Sequence, residues 1–532
     1  MTAPKMPAPP RFPGRVAAGL AGVLFLPLAA QPGAGQPQNI GGAKQLFIDD
    51  SIVQKIDTVS RVLNMPERFD ANPLLRPDRE WEGNYLRMST VIYDESESIW
   101  KMWYSASAIT AHASAPAGRP GDSSYRASGY VEDGNYTCYA TSRDGIHWDR
   151  PNLGLVEFKG SKNNNIIPVD RHIDCLQTML KDDHEQNPAR RYKGAGSWIL
   201  WHGQIRAASG KHDNGAGFFF SPDGIHPSPF QGNPVVHSSG DDEITFIGWD
   251  DRIQKYIGYF RPERDRTEKS YERLSPPAGN DHMRTIAYAE SSDFIHWSDL
   301  QPALVPDDKD PVDLQFYHMP AMKYGTYYLG FPWLFQTNRL TMEAGFAYSH
   351  DGKSYTRYKM TFFAVGSHGT WDDSTEYMAL PVVRDDRLWF YYGGSNWLHS
   401  AVDLAAKGTK AIGAIGLATL PLDGFVSMEA GPNPGYFVTK PLIFRGKRLV
   451  VNLEESAKGS AGVDEDSALR VGLLDGSGQA LQGGLSEVMT HTATHQTVAW
   501  RNSEMLEKLA GRPVCLSFQM RNVKLYSFQF QE

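Results

Sequence analysis

Cysteine is almost missing from this chain: Cys138, Cys175 and Cys515 are the only three in 532 residues, odd in number and far apart. No disulfide framework can carry its stability, and no zinc motif of closely spaced thiols can form. Three small buried side chains are the expectation. Long runs of lysine or arginine are lacking too, and the formal charge is −8 with a pI of about 6.1. Such a chain offers no footprint for a phosphate backbone, so nucleic acid is not an expected partner. Long apolar stretches are also scarce. The one near the start, VAAGLAGVLFLPLAA (16–30), follows Lys5, Arg11 and Arg15 and precedes the polar QPGAGQPQN. It is about 15 residues long where a spanning helix needs roughly 20. The expectation is therefore a signal peptide over residues 1–30, a linker over 31–44, a secreted or periplasmic product, and no membrane span once the signal is removed.

Core-forming residues are plentiful: 41% of the chain is hydrophobic and 12% aromatic, enough for a large interior. Fifty glycines and thirty-four prolines are scattered through it, which suits many short strands joined by turns. An all-β fold is expected.

One turn recurs. SRDGIHW (142–148) follows the strand-like YTCYAT, and related heptads stand at SPDGIHP (221–227), SSDFIHW (291–297), SHDGKSY (349–355) and, more loosely, PLDGFVS (421–427). With Asp144, Asp223, Asp293, Asp351 and Asp423 as markers, a unit of about 70 residues repeats five times. In such a turn the Asp side chain accepts backbone N–H bonds, Gly tolerates positive φ, and the following aromatic can fold back between sheets. These are architectural tasks. Each unit also holds a second pair of strands around a polar turn, as in STVIYDESESIWKMWYS, ITFIGWDDRIQKYIGYFR and LPVVRDDRLWFYYGG.

Four strands repeated five times around an axis make a five-bladed β-propeller, expected over residues 45–432, with LFIDD (46–50) helping to close the ring. From about Tyr436 the rhythm changes to KPLIFRGKRLVVNLEE, ALRVGLLDG, PVCLSFQM and KLYSFQF, which reads as a C-terminal β-sandwich over 433–532. The small-residue stretch 105–129 reads as a surface loop.

In such a ring the starts of the inner strands converge on one funnel. Reading what precedes each apolar stretch places Arg87 in blade one, His172 and Asp174 in blade two, and Asp242 and Glu243 in blade three. Blade four gives Gln315, Tyr317 and His318, and blade five gives Asp372, Asp373, Glu376 and Tyr377. Returning strands add His202, Arg261, Trp333, Asn396 and His399. Carboxylates, an arginine and aromatic faces in one depression suit a sugar, because rings stack on its C–H surface and carboxyls share acid and base work. Arg261 could clamp a carboxylate or sulfate on an acidic sugar. Glu243, flanked by apolar strand, is the expected general acid through a raised pKa. Each residue has a plain structural alternative: a turn acid, an interblade ion pair, or a packed ring. The doublets at 182–183, 250–251 and 385–386 sit in hairpin turns and are excluded. No metal or cofactor is expected, although a bound calcium is not readable from sequence.

The repeated turns, the phrase GLATLPLDGFVS and the C-terminal sandwich resemble the five-bladed propeller glycosidases, glycoside hydrolase families 32 and 43 and their relatives. By position Asp174 resembles the family's second-blade Asp, and Asp242 or Glu243 its third-blade Glu. Blade one departs: LRMSTV stands where those families show an Asp, and neither R-D-P nor E-C occurs at the places family 32 would have them. The resemblance implies a secreted glycoside hydrolase acting on a poly- or oligosaccharide through two carboxyls. Asp174 would be base or nucleophile, Glu243 the acid, and Glu376 or Asp242 an orienting group. The alternative is a non-catalytic carbohydrate-binding propeller. A sialidase-like enzyme is a weaker reading, with five units in place of six and no arginine triad recognisable in sequence.

Overall fold

A computed structural model describes residues 36–111, 130–170, 173–198, 215–237, 243–265, 282–399, 403–456 and 467–532. The expected signal segment lies outside them. Among the described residues the architecture is almost wholly β, with only short helical pieces such as Leu404–Lys407 and Met505–Leu509.

Five successive segments form antiparallel units. The first joins Tyr85–Asp94, Ile99–Ala111 and Tyr130–Ser142; the second joins Ile173–Lys181, Tyr192–Trp198 and Gly215–Ser221. The third runs Ile244–Asp250, Lys255–Phe260, Ile286–Ser291, Gln301–Leu304, and the fourth Ala321–Tyr324, Tyr327–Gly330, Ala347–Ser349, Thr356–Arg357. In the fifth, Thr375–Met378 and Val382–Arg384 flank Arg387–Ser395, which pairs Gly413–Pro421. Its outermost strand is Glu67–Arg68, contributed from the other side of the chain. Middle strands such as Gly215–Ser221 are buried along their whole length, which explains their unbroken apolar sequence. Residues 105–111, expected in a loop, continue the long strand Ile99–Ala111.

The turns do what their chemistry implies. Asp144 Oδ1 accepts the N–H groups of Ile146 and His147, at 2.9 and 2.8 Å, and Asp223, Asp293 and Asp351 repeat the arrangement. Gly145 has φ +76°, and a Cβ there would lie 2.7 Å from Tyr391 Oη. That crowding reflects a bond between units: Tyr391 of the fifth donates to the Gly145 carbonyl of the first, 2.7 Å. Trp103 of the first donates to Gly224 O of the second (2.8 Å), and Arg190 of the second to Asp293 O of the third (3.2 Å). Tyr259 of the third donates to Gly352 O of the fourth (2.8 Å), and Tyr324 of the fourth to Asp423 Oδ1 (2.6 Å). The series returns to its starting unit.

A second series joins the ends of the inner strands. Asp94 accepts from Lys181 and Tyr192, Asp182 from Tyr256, and Asp250 from Lys323 and Tyr328, while Arg384 pairs with Glu95. The acids at 182 and 250 are thus buried anchors between neighbouring units.

The fifth heptad departs from the others. Asp423 has φ +62° and accepts from Lys44, Tyr324, Asn452 and Ser527. It ties the fifth unit to the strands Arg448–Glu455 and Val523–Gln531, which belong to the second of two further sheets. One orders Gln38–Gly41, Leu442–Phe444, Val514–Arg521, Gly435–Thr439 and Val53–Asp57, with Ala468–Asp475 and Ala480–Leu485 alongside. The other orders Ala493–Thr497, Arg448–Glu455, Val523–Gln531, Val426–Ala430 and Ser60–Leu63. They share one core in which Phe437 stacks on Phe518 and Phe444 on Phe530. Residues 38–63 therefore belong with the C-terminal sheets, so the divisions expected at residues 45 and 432 are not where the sheets divide. Gln45–Leu46 pairs with Ser527 and Phe528, while Leu46 and Ile48 pack against side chains of the fourth and fifth units and Asp49 accepts from Tyr327; Glu67–Arg68 flanks the fifth unit. Cys138 and Cys515 are buried free thiols; the Cys175 side chain lies outside the described residues. No helix among the described residues is long and apolar enough to cross a membrane.

Candidate functional site

A cavity of about 380 Å³ is bordered by residues 88–93, 177–181, 245–247, 320–322 and 378–382, stretches of the inner strands of all five units. Distant segments therefore meet around one cavity. His318 and Trp333 border it beside the strand starts.

Arg87 lies on Tyr85–Asp94 between Leu86 and Met88, which turn into the core, so alternation sends its side chain the other way. Its Nη2 lies 2.7 and 2.8 Å from the two oxygens of Glu243, the residue before Ile244–Asp250. The guanidinium also stands 5.8 Å from the Trp333 ring and 5.5 Å from that of Tyr377. His318 Nδ1 is 4.0 Å from Glu243 Oε2, and its ring packs 4.5 Å from Trp333. Four units of the chain thus contribute to one knot of side chains.

The expectation of a raised Glu243 pKa is corrected. Burial, the largest influence, does push it up, but the guanidiniums of Arg87 and Arg261 outweigh that and hold the carboxyl below its ordinary value. Glu243 is a paired carboxylate, not a proton donor at neutral pH. Burial drives His318 the other way, down to about 4, against the pull of Glu243. Its imidazole is neutral at pH 7.

A second wall adjoins the first. Arg261, buried, stands 4.4 Å from the Tyr317 ring, and Arg284 stands 5.3 Å from the same ring and 5.7 Å from Phe335. Arg284 Nη1 donates to Gln315 Oε1 at 2.8 Å. The His399 ring lies 5.1 Å from Tyr317 and 4.5 Å from Phe335. Burial, then Arg284, Arg261 and Arg87, push its imidazole down to about 3.

Other expected residues are placed elsewhere. Glu376 is fully buried against Arg68, which also pairs with Asp372 at 2.9 Å. Alternation along Thr375–Met378 turns Tyr377 toward Arg87 and Glu376 away from it. Burial raises the Glu376 pKa well above the ordinary value, although Arg68 opposes it. Asn396 spends its amide on loop backbone, donating to Lys410 O and accepting from Ile412 N. Trp333 is no open stacking platform, being 4% exposed with its indole N–H bonded to Met378 O. His172, His202 and Asp242 lie outside the described residues. Asp174 is on the strand Ile173–Lys181, with its side chain outside the description.

Reading the sequence for sites passed over one residue the geometry includes. Arg284 stands in HMRT, just before a strand, and carried no repeat signal. His318 was visible at a strand start, yet only the fold shows its carboxylate neighbour. Among the described residues no group of three or more His, Cys, Asp or Glu could hold a metal ion.

No family model matches this sequence, and no curated protein matches it. Solved structures similar to parts of it include one described as a glycoside hydrolase, 13% identical, with a TM-score of 0.44 over 67% of this chain and 92% of that one. Another comes from work on the GH130 family of mannoside phosphorylases and glycoside hydrolases, 14% identical, with a TM-score of 0.43 over 68% and 94%. A third is a β-1,2-mannobiose phosphorylase from Listeria innocua, 13% identical, at 0.43 over 68% and 97%. Likeness at this level is no guide to activity or substrate.

Proposed function

We propose that this chain is a secreted or periplasmic glycoside hydrolase built as a five-bladed β-propeller with an appended sandwich. Its sugar would bind where the inner strands begin. The observation that carries this reading is the convergence of Arg87, Glu243, His318, Trp333 and Tyr377, drawn from four units, beside the axial cavity. A buried carboxylate, fixed by a guanidinium among aromatic rings, is pre-organised to stabilise the positive charge of an oxocarbenium-like transition state or to take a proton from water. The role assigned to Glu243 therefore changes from acid to ionised carboxylate. A protonated partner must come from a neighbouring strand start, and Asp174 holds the corresponding position in the second unit.

The Arg87–Glu243 pairing also favours a second reading, a propeller that binds carbohydrate without cleaving it, since a carboxylate engaged by an arginine is a weaker nucleophile. Turnover of a panel of plant and algal polysaccharides by the wild type, Glu243→Gln and Asp174→Asn separates the two. The enzyme reading expects kcat to fall by about a hundredfold or more in each variant. Binding without turnover in all three proteins supports the binder, and full turnover in both variants removes the proposed roles.

A further inference from the structure

We infer that His318 is a further catalytic residue: together with Oε2 of Glu243 it holds the water molecule that attacks the sugar. This rests on the enzyme reading of the same site and assigns the origin of its nucleophile.

His318 Nδ1 faces Glu243 Oε2 across 4.0 Å, too far for a hydrogen bond and close enough for one oxygen to lie about 2.8 Å from each. The side chain is buried, yet neither ring nitrogen makes a hydrogen bond among the described residues. Buried polar atoms rarely lack a partner. His318 also borders the cavity, whose 380 Å³ is ample for water. Both members of the pair are held from neighbouring elements. Gln177 Oε1 accepts the Ile244 N–H at 2.7 Å, fixing the peptide that follows Glu243, while Gln177 Nε2 donates to Ser197 Oγ at 2.8 Å. The backbone N–H of Trp333 donates to His318 O at 2.7 Å, and its indole packs on the imidazole. Groups fixed in this way orient a reactant with little further loss of freedom.

Arg87 touches both oxygens of Glu243, which blunts direct attack by the carboxylate, but each oxygen keeps a lone pair that can accept an O–H. Burial keeps the His318 imidazole neutral at pH 7. With its proton on Nε2, the nitrogen that faces Glu243 is a second acceptor. A water between them donates one O–H to each and turns an oxygen lone pair toward the anomeric carbon. As that carbon–oxygen bond forms, the bond to the leaving oxygen breaks; the leaving oxygen takes the proton of the partner acid proposed at Asp174, and Glu243 takes a proton from the water.

The test uses a glycan that the wild type cleaves. Steady-state kinetics would compare wild type with His318→Phe, His318→Asn, whose amide oxygen can stand where Nδ1 does, and His318→Gln, whose amide reaches past that position. Calorimetric titration of the same glycan would compare Glu243→Gln with Glu243→Gln/His318→Phe, and unfolding midpoints show which variants are folded. The inference expects kcat to fall about a hundredfold or more in the Phe and Gln variants with KM within about threefold of wild type, at least about tenfold recovery in His318→Asn, and Kd values within about threefold of each other in the titrations. Should His318→Phe not fold, the contrast between Asn and Gln decides. A loss expressed in KM, with Kd weakened tenfold or more, would assign His318 to a sugar hydroxyl and overturn the inference, as would an Asn variant no faster than Gln. Full turnover in the His318 variants, with turnover abolished in Glu243→Gln, overturns it and leaves the proposed function standing. A wild type that cleaves no glycan overturns both.

Discussion

Replacing Arg87 by methionine would leave the Glu243 carboxylate 4% exposed and without the cation that touches both of its oxygens. The least costly response is to take up a proton. Protonating a carboxyl of ordinary pKa 4.5 at pH 7 costs about 1.4 kcal/mol per pH unit, roughly 3 kcal/mol in all. Holding the bare charge instead costs more. The signs then oppose each other. In the wild type Glu243 has a depressed pKa, so its contribution is present above the ordinary value and lost as the pH falls through the folded one. In Arg87→Met burial is no longer countered by that arginine, the pKa is raised, and stability is lost as the pH rises. The deficit of the variant should therefore shrink from roughly 3 kcal/mol at pH 7 to under about 1 kcal/mol at pH 5. Urea unfolding followed by tryptophan fluorescence at both pH values measures this. The double variant Arg87→Met/Glu243→Met, which removes the charge itself, should recover most of the loss at pH 7. A deficit equal at the two pH values, or a double variant no more stable than the single one, would refute the reasoning.

Two further expectations concern the frame. Gly145→Ala should destabilise by about 1–3 kcal/mol, because φ is +76° and the new methyl meets Tyr391 Oη. Tyr391→Phe alone should lose about 1 kcal/mol, since Trp148 still donates to the Gly145 carbonyl; together the two should lose less than their sum in thermal unfolding, because the phenylalanine removes the clashing oxygen. Glu376→Gln should leave glycan binding and turnover unchanged. With a folded pKa raised by burial, Glu376 loses stability as the pH rises, so the glutamine variant should match or exceed the wild type at pH 8 by unfolding midpoint; a collapse of turnover would return Glu376 to the catalytic group.

The repeat was legible because its chemistry is local. Asp144 and the two residues after Gly145 make their bonds within one heptad, and three later heptads repeat them. Asp423 shares the letters but not that geometry, since its partners Lys44, Asn452 and Ser527 are remote in the chain and leave no trace in the heptad itself. Among the site candidates, Arg87 and Glu243 could be picked out because both stand at strand starts. Their pairing could not, being set by the angle between two sheets. Glu376 misleads for a related reason: alternation says that it and Tyr377 face opposite ways, but only packing says which way is inward.

The strand Glu67–Arg68 has no strand to pair with until Gly413–Pro421 exists, and the strands of 38–63 have none until 426–531 follows. Early-made residues therefore wait for late-made ones, and the last stage of folding is a clasp between distant parts of the polypeptide, slow by virtue of its high contact order. A nascent molecule halted at residue 400 would hold four units and an unfinished fifth, with bare edges on both sides of the gap. Such a product is a natural substrate for quality-control proteases, whereas the completed one has its seam sewn twice.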